Sequence, residues 1–553
     1  MDKISSTEYN LLSEPWIPVQ RRSGRKEWIR PSEVTDQLKQ DPVVSVAWSR
    51  VDFNRATLEF FIGLFTTITL IEDEDGWIEL WDSPPDEEDL NEKLEQYKIA
   101  FSLDGPNARF MQDFDALQAA SVKPTGELFM GYPGEQTLKK NSDHFVKRGS
   151  INTLSRASAA IALFTLQSYA PSGGSGHRTS LRGGGPLTTL TSMKHQRYGD
   201  TLWGKIWPNV ETIEQLRDRN SSDSISVSDS DSSLIFPWLA PTRTSDTKTG
   251  LVTSGNNIDP RQVYWGMPRR IRLNFTEADN QICSVSSNYD DIVVTSYQTS
   301  NYGTNYSSES IRHPLSPYYE DSKKNLLPKH AMSSGLTYKD WPGILFGSTV
   351  GNTHPAKCVE RAIRRATDNK LGNLEYLVFG YDMENMKALG FLDSVQSILL
   401  GSKTVNEVVL VSIDQLARAS KYVADQLTSG VKSAFYEQPK TVRGDWSKIS
   451  RNFYQETESK FKHLVEEMHY QVQNTSTPEP NLSNTLDHRR QWLQTLRYET
   501  LRLFDREVST ITSDTNHIER YAKARFNLQM ILSGKGNKGK VLYESHLNIP
   551  LPS

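Results

Sequence analysis

Residues 170–190, APSGGSGHRTSLRGGGPLTTL, combine six glycines with His177, Arg178 and Arg182. These residue types suit a polyanion. Glycine has no Cβ, so its backbone reaches φ > 0 and its N–H groups can approach a ligand closely, while arginine offers paired donors to phosphate or base edges. Close approach and positive charge together point to nucleic acid or a nucleotide. Taken alone, the stretch also fits a flexible connection between a strand and a helix.

The remaining residues that could do chemistry form no recognisable constellation. A P-loop requires GxxxxGK followed by Ser or Thr, and neither GSTVGNT at 347–353 nor SGKGNKGK at 533–540 supplies it. The eleven histidines are scattered without HExxH, so no metal site or cofactor is expected. Cys358 falls in a helix-like run, 356–367, among Lys357, Arg361 and Arg364, where cations lower a thiol pKa; a lone cysteine also serves as small apolar filling. No spacing demands an enzyme.

At 553 residues the chain exceeds what one core usually supports, so at least two domains are expected. The net charge of -4 excludes a uniformly basic coat and leaves room for a local basic face. Acid clusters early, at 72–75 and 86–89, while Arg361, Arg364, Arg365, Arg489, Arg490, Arg497 and Arg502 lie in later helix-like segments. Cys283 and Cys358 are too few for a disulfide scaffold, which suits a reducing, cytoplasmic setting. The most apolar helix, Phe53 to Ile71, carries Asn54, Arg55 and Glu59 and reads as buried, not as a membrane span.

The expected fold is mixed α+β: a large irregular α/β body over 1–401, then a C-terminal four-helix bundle over 402–553. Short β-like runs occur at Trp16–Val19, Ile292–Ser296 and Tyr376–Phe379. The Ser/Asp tract 217–233 and the Ser/Tyr/Asn-rich stretch 295–310 read as surface loops. Beyond Lys403, residues 405–427, 453–472, 485–509 and 516–532 each place apolar residues at helical spacing, and Pro478 and Pro480 separate the second helix from the third.

Ordered motifs along the chain resemble one family. They are NLLSEPWIPV at 10–19, PNARFMQ at 106–112, AAIALF at 159–164, the glycine loop at 170–176, LRGGGPLTT at 181–189, HPLSP at 313–317, the FGY turn at 379–381 and the TVNEVV helix start at 404. The sequence is similar to the large subunit, CasA, of the type I-E Cascade complex, a CRISPR surveillance assembly that carries a guide RNA. The resemblance implies a protein that itself cuts nothing. It implies a subunit that reads the protospacer-adjacent motif (PAM) on double-stranded DNA, helps open the strands into an R-loop and recruits a helicase-nuclease. Its implied partners are the other Cascade subunits, the guide RNA and the target DNA, with no membrane.

By resemblance, the loop that approaches the minor groove falls on Ser172, Gly173, Gly174, Ser175 and Gly176, with Arg178 and Arg182 as neighbouring phosphate contacts. The strand-separating wedge falls on Met383, Glu384, Asn385 and Met386, where the family's glutamine is absent and Asn385 is its nearest match. The family's lysine finger falls at 302–310, which holds no lysine; Asn301 and Asn305 are the polar residues nearby. Phe145, Lys147 and Arg148 match the loop that meets the guide RNA and its neighbouring subunit. Arg489, Arg490, Arg497 and Arg502 are candidates to hold the displaced strand along a positive groove. Two other readings stand beside this one: a nucleic-acid-processing enzyme with a distributed active site, and a purely architectural subunit.

Overall fold

The first of the ordered motifs, Asn10–Val19, builds core. Leu11, Leu12 and Trp16 are buried, and the Trp16 indole donates to the Leu11 carbonyl at 2.7 Å. In the computed structural model, which describes residues 8–133, 139, 149–171, 176–194, 197–219, 231–246, 250–332, 335–347, 352–384, 387–399, 401–475, 479–508 and 515–552, Trp16 meets Phe60 edge-on at 5.2 Å. Phe60 in turn takes Phe164 at 5.7 Å and Trp265 at 5.8 Å, both also edge-on. Such aromatic pairs add about 0.5–1.5 kcal/mol each beyond the area they bury.

In chain order, the elements that position the site are β1 (Ile17–Arg21), β2 (Lys26–Ile29), β3 (Val43–Val46), α1 (Val51–Ile68), β4 (Ser121–Pro124), β5 (Leu154–Ser155), α2 (Arg156–Tyr169), β6 (Thr188–Lys194), β7 (Arg270–Ile282), β8 (Tyr289–Ser300), α3 (Lys357–Asp368), β9 (Asn373–Glu384) and β10 (Lys387–Ile398). One small sheet has the order β2-β1-β3 and another β10-β9-β6. In a third sheet β8 is the centre, pairing antiparallel with β4, β5 and β7. α1 is the buried helix expected from its apolar run, with Glu59 at 3 % exposure inside it.

Three expectations need correcting. Residues 295–300 are not loop but the end of β8, because their alternate side chains pack on the sheet, as Tyr297 and Thr299 do. Phe379–Tyr381 is not a turn; it lies inside β9, with Phe379 and Tyr381 buried. The ends of the Ser/Asp tract are helical, at Ile213–Arg219 and Ser232–Ile235, and 220–230 lies outside the described residues.

With 46 % of residues helical and 18 % in strands, the protein is of the mixed α/β class. It divides into two units, Met1–Ser333 with Ala356–Ala362 and Leu374–Ser397, and Ser334–Pro355 with Ile363–Asn373 and Ile398–Ser553. The second contains the four long helices α4 (Lys403–Phe435), α5 (Ser447–Gln473), α6 (Leu486–Val508) and α7 (Thr515–Leu532). Ser402 caps α4 by accepting from the Val405 amide. The second unit also takes in residues that the sequence reading assigned to the body: Tyr338 stacks on Phe461 of α5 at 4.1 Å and shares a 2.7 Å hydrogen bond with Thr457.

The ring cluster around Phe60 carries a stability prediction. Phe60→Ala leaves a void ringed by aromatics that cannot collapse, so we expect a loss of about 3–5 kcal/mol in urea unfolding followed by tryptophan fluorescence. A loss below about 1 kcal/mol would mean that this cluster is not the centre of the core.

Candidate nucleic-acid interface

The segment LRGGG is fixed from beneath by a buried ion pair. Arg182 is 3 % exposed and donates to Glu59 at 2.6 Å and to the Thr188 hydroxyl at 2.8 Å. Its guanidinium also lies over the Tyr169 ring, 5.3 Å from the centroid. The other Glu59 oxygen accepts from the hydroxyls of Tyr169 and Thr188. Burial, and then the neighbouring Glu59 carboxylate, push the Tyr169 pKa well up, so its hydroxyl stays a donor. Arg182 therefore does not present its charge to a phosphate, which corrects the sequence expectation: its donors are spent inside the protein.

Above this anchor the glycine segment lies directly on β9. Gly185 has φ +63°, and a Cβ there would sit 2.3 Å from Met383 Cγ and 2.6 Å from the Tyr381 carbonyl oxygen. Only glycine permits that approach. Tyr381 is tied in turn to α1, since its hydroxyl donates to Asp52, which pairs with Arg50 at 2.6 Å. Met383 is half-buried and Glu384 exposed at the end of β9; Asn385 and Met386 lie outside the described residues.

The foot of the glycine loop meets the open end of the β7–β8 hairpin. Gly176, at φ +80°, would place a Cβ 2.8 Å from Asn301 Cβ, and its carbonyl accepts from the Tyr302 amide at 2.7 Å. Tyr302 itself has φ +62°, a conformation uncommon outside glycine. Arg178 is half-buried and donates to the Ser245 hydroxyl at 2.8 Å and to its carbonyl at 2.7 Å, and the Ser245 amide reaches the Tyr302 carbonyl at 3.1 Å. Asn301 is exposed at this contact, whereas the Asn305 carbonyl accepts from Thr253 at 2.8 Å. Ser172, Gly173, Gly174 and Ser175 lie outside the described residues.

Two cations that the sequence reading missed complete the foot. Arg269 precedes β7, with its amide and carbonyl both held at 3.0 Å by the Gln167 side chain, and its guanidinium donates to the Pro171 carbonyl where the loop begins. Burial lowers its pKa to about 10. Lys123 on β4 sits 3.9 Å from Glu127. His177, which feels both, is pushed down to about 4, first by burial and then by Arg269 and Lys123. The basic pair Arg269–Arg270 ahead of a strand is the one local signal; its proximity to Pro171 crosses 98 residues and has no sequence signature.

The other expected contacts divide. Arg489 is 2 % exposed and donates to the carbonyls of Leu547, Asn548 and Leu482 at 3.0, 2.8 and 2.7 Å. Arg497 donates to the Leu532 carbonyl at 2.7 Å and to the Tyr543 hydroxyl. Both bind the helical unit internally, so neither presents the free groove charge expected of it. Arg502 is engaged with Glu499 at 2.7 Å and with Glu456, and Arg490, half exposed, pairs with Asp487 at 3.3 Å. Phe145, Lys147 and Arg148 lie outside the described residues. Cys358 is not activated: fully buried, its thiol donates to the Thr189 carbonyl at 3.1 Å and burial pushes its pKa up to about 12, overriding Arg361.

The profile of CRISPR-associated protein Cse1 matches residues 10–503. The chain belongs to the Cse1 family. This is the family of the large subunit of type I-E Cascade, as the ordered motifs implied. Its fold resembles that of Thermobifida fusca Cse1, with 16 % identity and a TM-score of 0.68 over 95 % of this chain and 98 % of that one. Thermus thermophilus CasA gives 15 % identity and 0.62 over 94 % and 99 %. A chain of a CRISPR RNA-guided surveillance complex gives 14 % and 0.66, over 94 % and 99 %.

Two predictions follow from the geometry of the site. Glu59→Ala strands the Arg182 charge in the interior, so we expect a loss of about 3–5 kcal/mol in chemical unfolding, and recovery when Arg182→Met is added. The folded chain keeps His177 neutral to about pH 4, whereas an unfolded histidine takes a proton near 6.5. Between those values the unfolded state binds more protons, so stability rises with pH across the window and falls on acidification. His177→Gln removes that share, and its melting temperature should drop less than the wild type's from pH 6.5 to 4.5; an equal drop contradicts the shift.

Proposed function

We propose that this member of the Cse1 family is the non-catalytic large subunit of an RNA-guided DNA surveillance complex. It recognises the PAM on double-stranded DNA, helps initiate strand separation and R-loop formation, and recruits the helicase-nuclease that degrades the target. Guide pairing reads the long sequence in such an assembly, so the protein needs only to read a few base pairs and destabilise the duplex beside them. Its partners are the sibling subunits, the guide RNA and the target DNA, in the reducing cytoplasm.

The observation that carries this reading is the contact of Gly176 with Asn301 and Tyr302, which brings the loop's foot and an exposed amide side chain to one place. An amide can hydrogen-bond to minor-groove acceptors, whose pattern is degenerate, so tolerance for more than one PAM is expected. The end of β9 at Met383, packed on Gly185, supports the wedge. Beside it a cleft of about 380 Å³ is lined by the apolar Val51, Met130, Leu389 and Phe391 and by the charged Arg50 and Asp52, a mixed wall against which an unstacked base can rest. The non-catalytic role rests on the family resemblance. Recruitment of the helicase-nuclease rests on the family resemblance.

Asn301→Ala tests the reading in the guide-loaded complex. Competition between duplexes that differ only in the flank should show discrimination falling about tenfold, with the melting temperature of the chain unchanged. Undiminished discrimination would remove Asn301 from the reading head and leave the architectural alternative stronger.

A further inference from the structure

Several buried and half-buried arginines of the first unit come with carboxylates. Arg156 has Asp290 at 2.9 Å, Arg182 has Glu59 at 2.6 Å, Arg261 has Asp259 at 2.8 Å and Arg270 has Asp113 at 2.6 Å. Arg269, adjacent in sequence to Arg270, differs from these: among the described residues no carboxylate pairs with it, a lack it shares with Arg178 and Arg272, and, unlike either of them, its Nε is buried without a hydrogen-bond partner. Among the described residues its acceptor is a neutral one, the Pro171 carbonyl. The ionisable group that favours its charge is the Tyr297 hydroxyl, and its basic neighbour His177 is held neutral by burial first and then by Arg269 and Lys123.

Placing a guanidinium out of water without a counter-charge is costly, and native proteins rarely leave one so. The cost makes sense if the counter-charge arrives with a ligand. The position also fits, since Arg269 is half-buried, tethers the first carbonyl of the glycine loop and is followed directly by β7. A planar guanidinium fork matches the two free oxygens of a phosphodiester, and a neutral imidazole can add one N–H donor.

We infer that Arg269, with His177 beside it, forms a phosphate site that takes a backbone phosphodiester of the duplex next to the bases the loop reads. The inference rests on the proposed reading of flanking DNA and extends it: it names the charge that seats the loop on the duplex, in place of the inward-facing Arg182. Lys123 adds to the field without being required for the contact.

Arg269→Met keeps an unbranched stem and removes the charge. In the isolated chain the melting temperature should stay the same or rise, because an uncompensated charge has left the interior. In the guide-loaded complex, affinity for the target duplex should fall about tenfold, and the slope of log affinity against log salt should become shallower by about one. Replacing single flank linkages by neutral methylphosphonates should weaken the wild type at one linkage to which Arg269→Met is indifferent. A lowered melting temperature with wild-type affinity and salt slope would overturn the site and make Arg269 a structural strap for Pro171. A shallower slope seen only in guide-RNA binding would overturn its assignment to DNA. If the wild-type complex shows no dependence on the flank at all, the proposed function itself fails, an outcome separate from either of these.

Discussion

One carboxylate decides where the glycine segment lies. Glu59 is embedded in α1 at a depth where an unpaired charge is untenable, and it is fully engaged by Arg182, Tyr169 and Thr188. Those three donors come from the end of α2, the LRGGG segment and the start of β6. Satisfying one acceptor thus pins three pieces of chain to one helix. With LRGGG held, Gly185 can press on β9, and Tyr381 of β9 closes back onto α1 through Asp52. Met383, near the end of β9, is thereby held against the glycine segment.

The same logic separates cations that hold the protein together from cations that face outward. Net charge is -4, so attraction for a polyanion must come from local imbalance, not from the whole surface. Arg182, Arg489 and Arg497 are neutralised or consumed by internal acceptors. At the loop's foot Arg269 has no carboxylate partner among the described residues, and burial first, then Arg269 and Lys123, keep His177 unprotonated.

Local patterns were the legible part of this chain. The four C-terminal helices, the buried helix around Phe60 and the strands at Ile17 and Ile292 follow from apolar periodicity acting over a few turns, and the ordered motifs carried the family. Roles that depend on distant partners were not legible. Arg182 looks like a free cation in LRGGG because Glu59 lies 123 residues away, and Tyr338 looks idle because Thr457 lies 119 residues on. Arg269 escaped notice for the converse reason: what distinguishes it is a buried Nε without a partner, and a missing partner leaves no trace in a sequence. The family resemblance places a turn at Phe379–Tyr381, yet the segment is strand, and Gly380 is there to let the Pro186 carbonyl come close.

The central claim is that this chain makes target binding depend on the bases flanking the target. The direct measurement is binding of the guide-loaded complex, assembled with and without this chain, to guide-matched duplexes whose flanking bases are randomised, followed by sequencing of the bound fraction. The account predicts enrichment of a small set of related flanks that vanishes when the chain is left out. Equal recovery of all flanks with the chain present would contradict it and leave an architectural subunit.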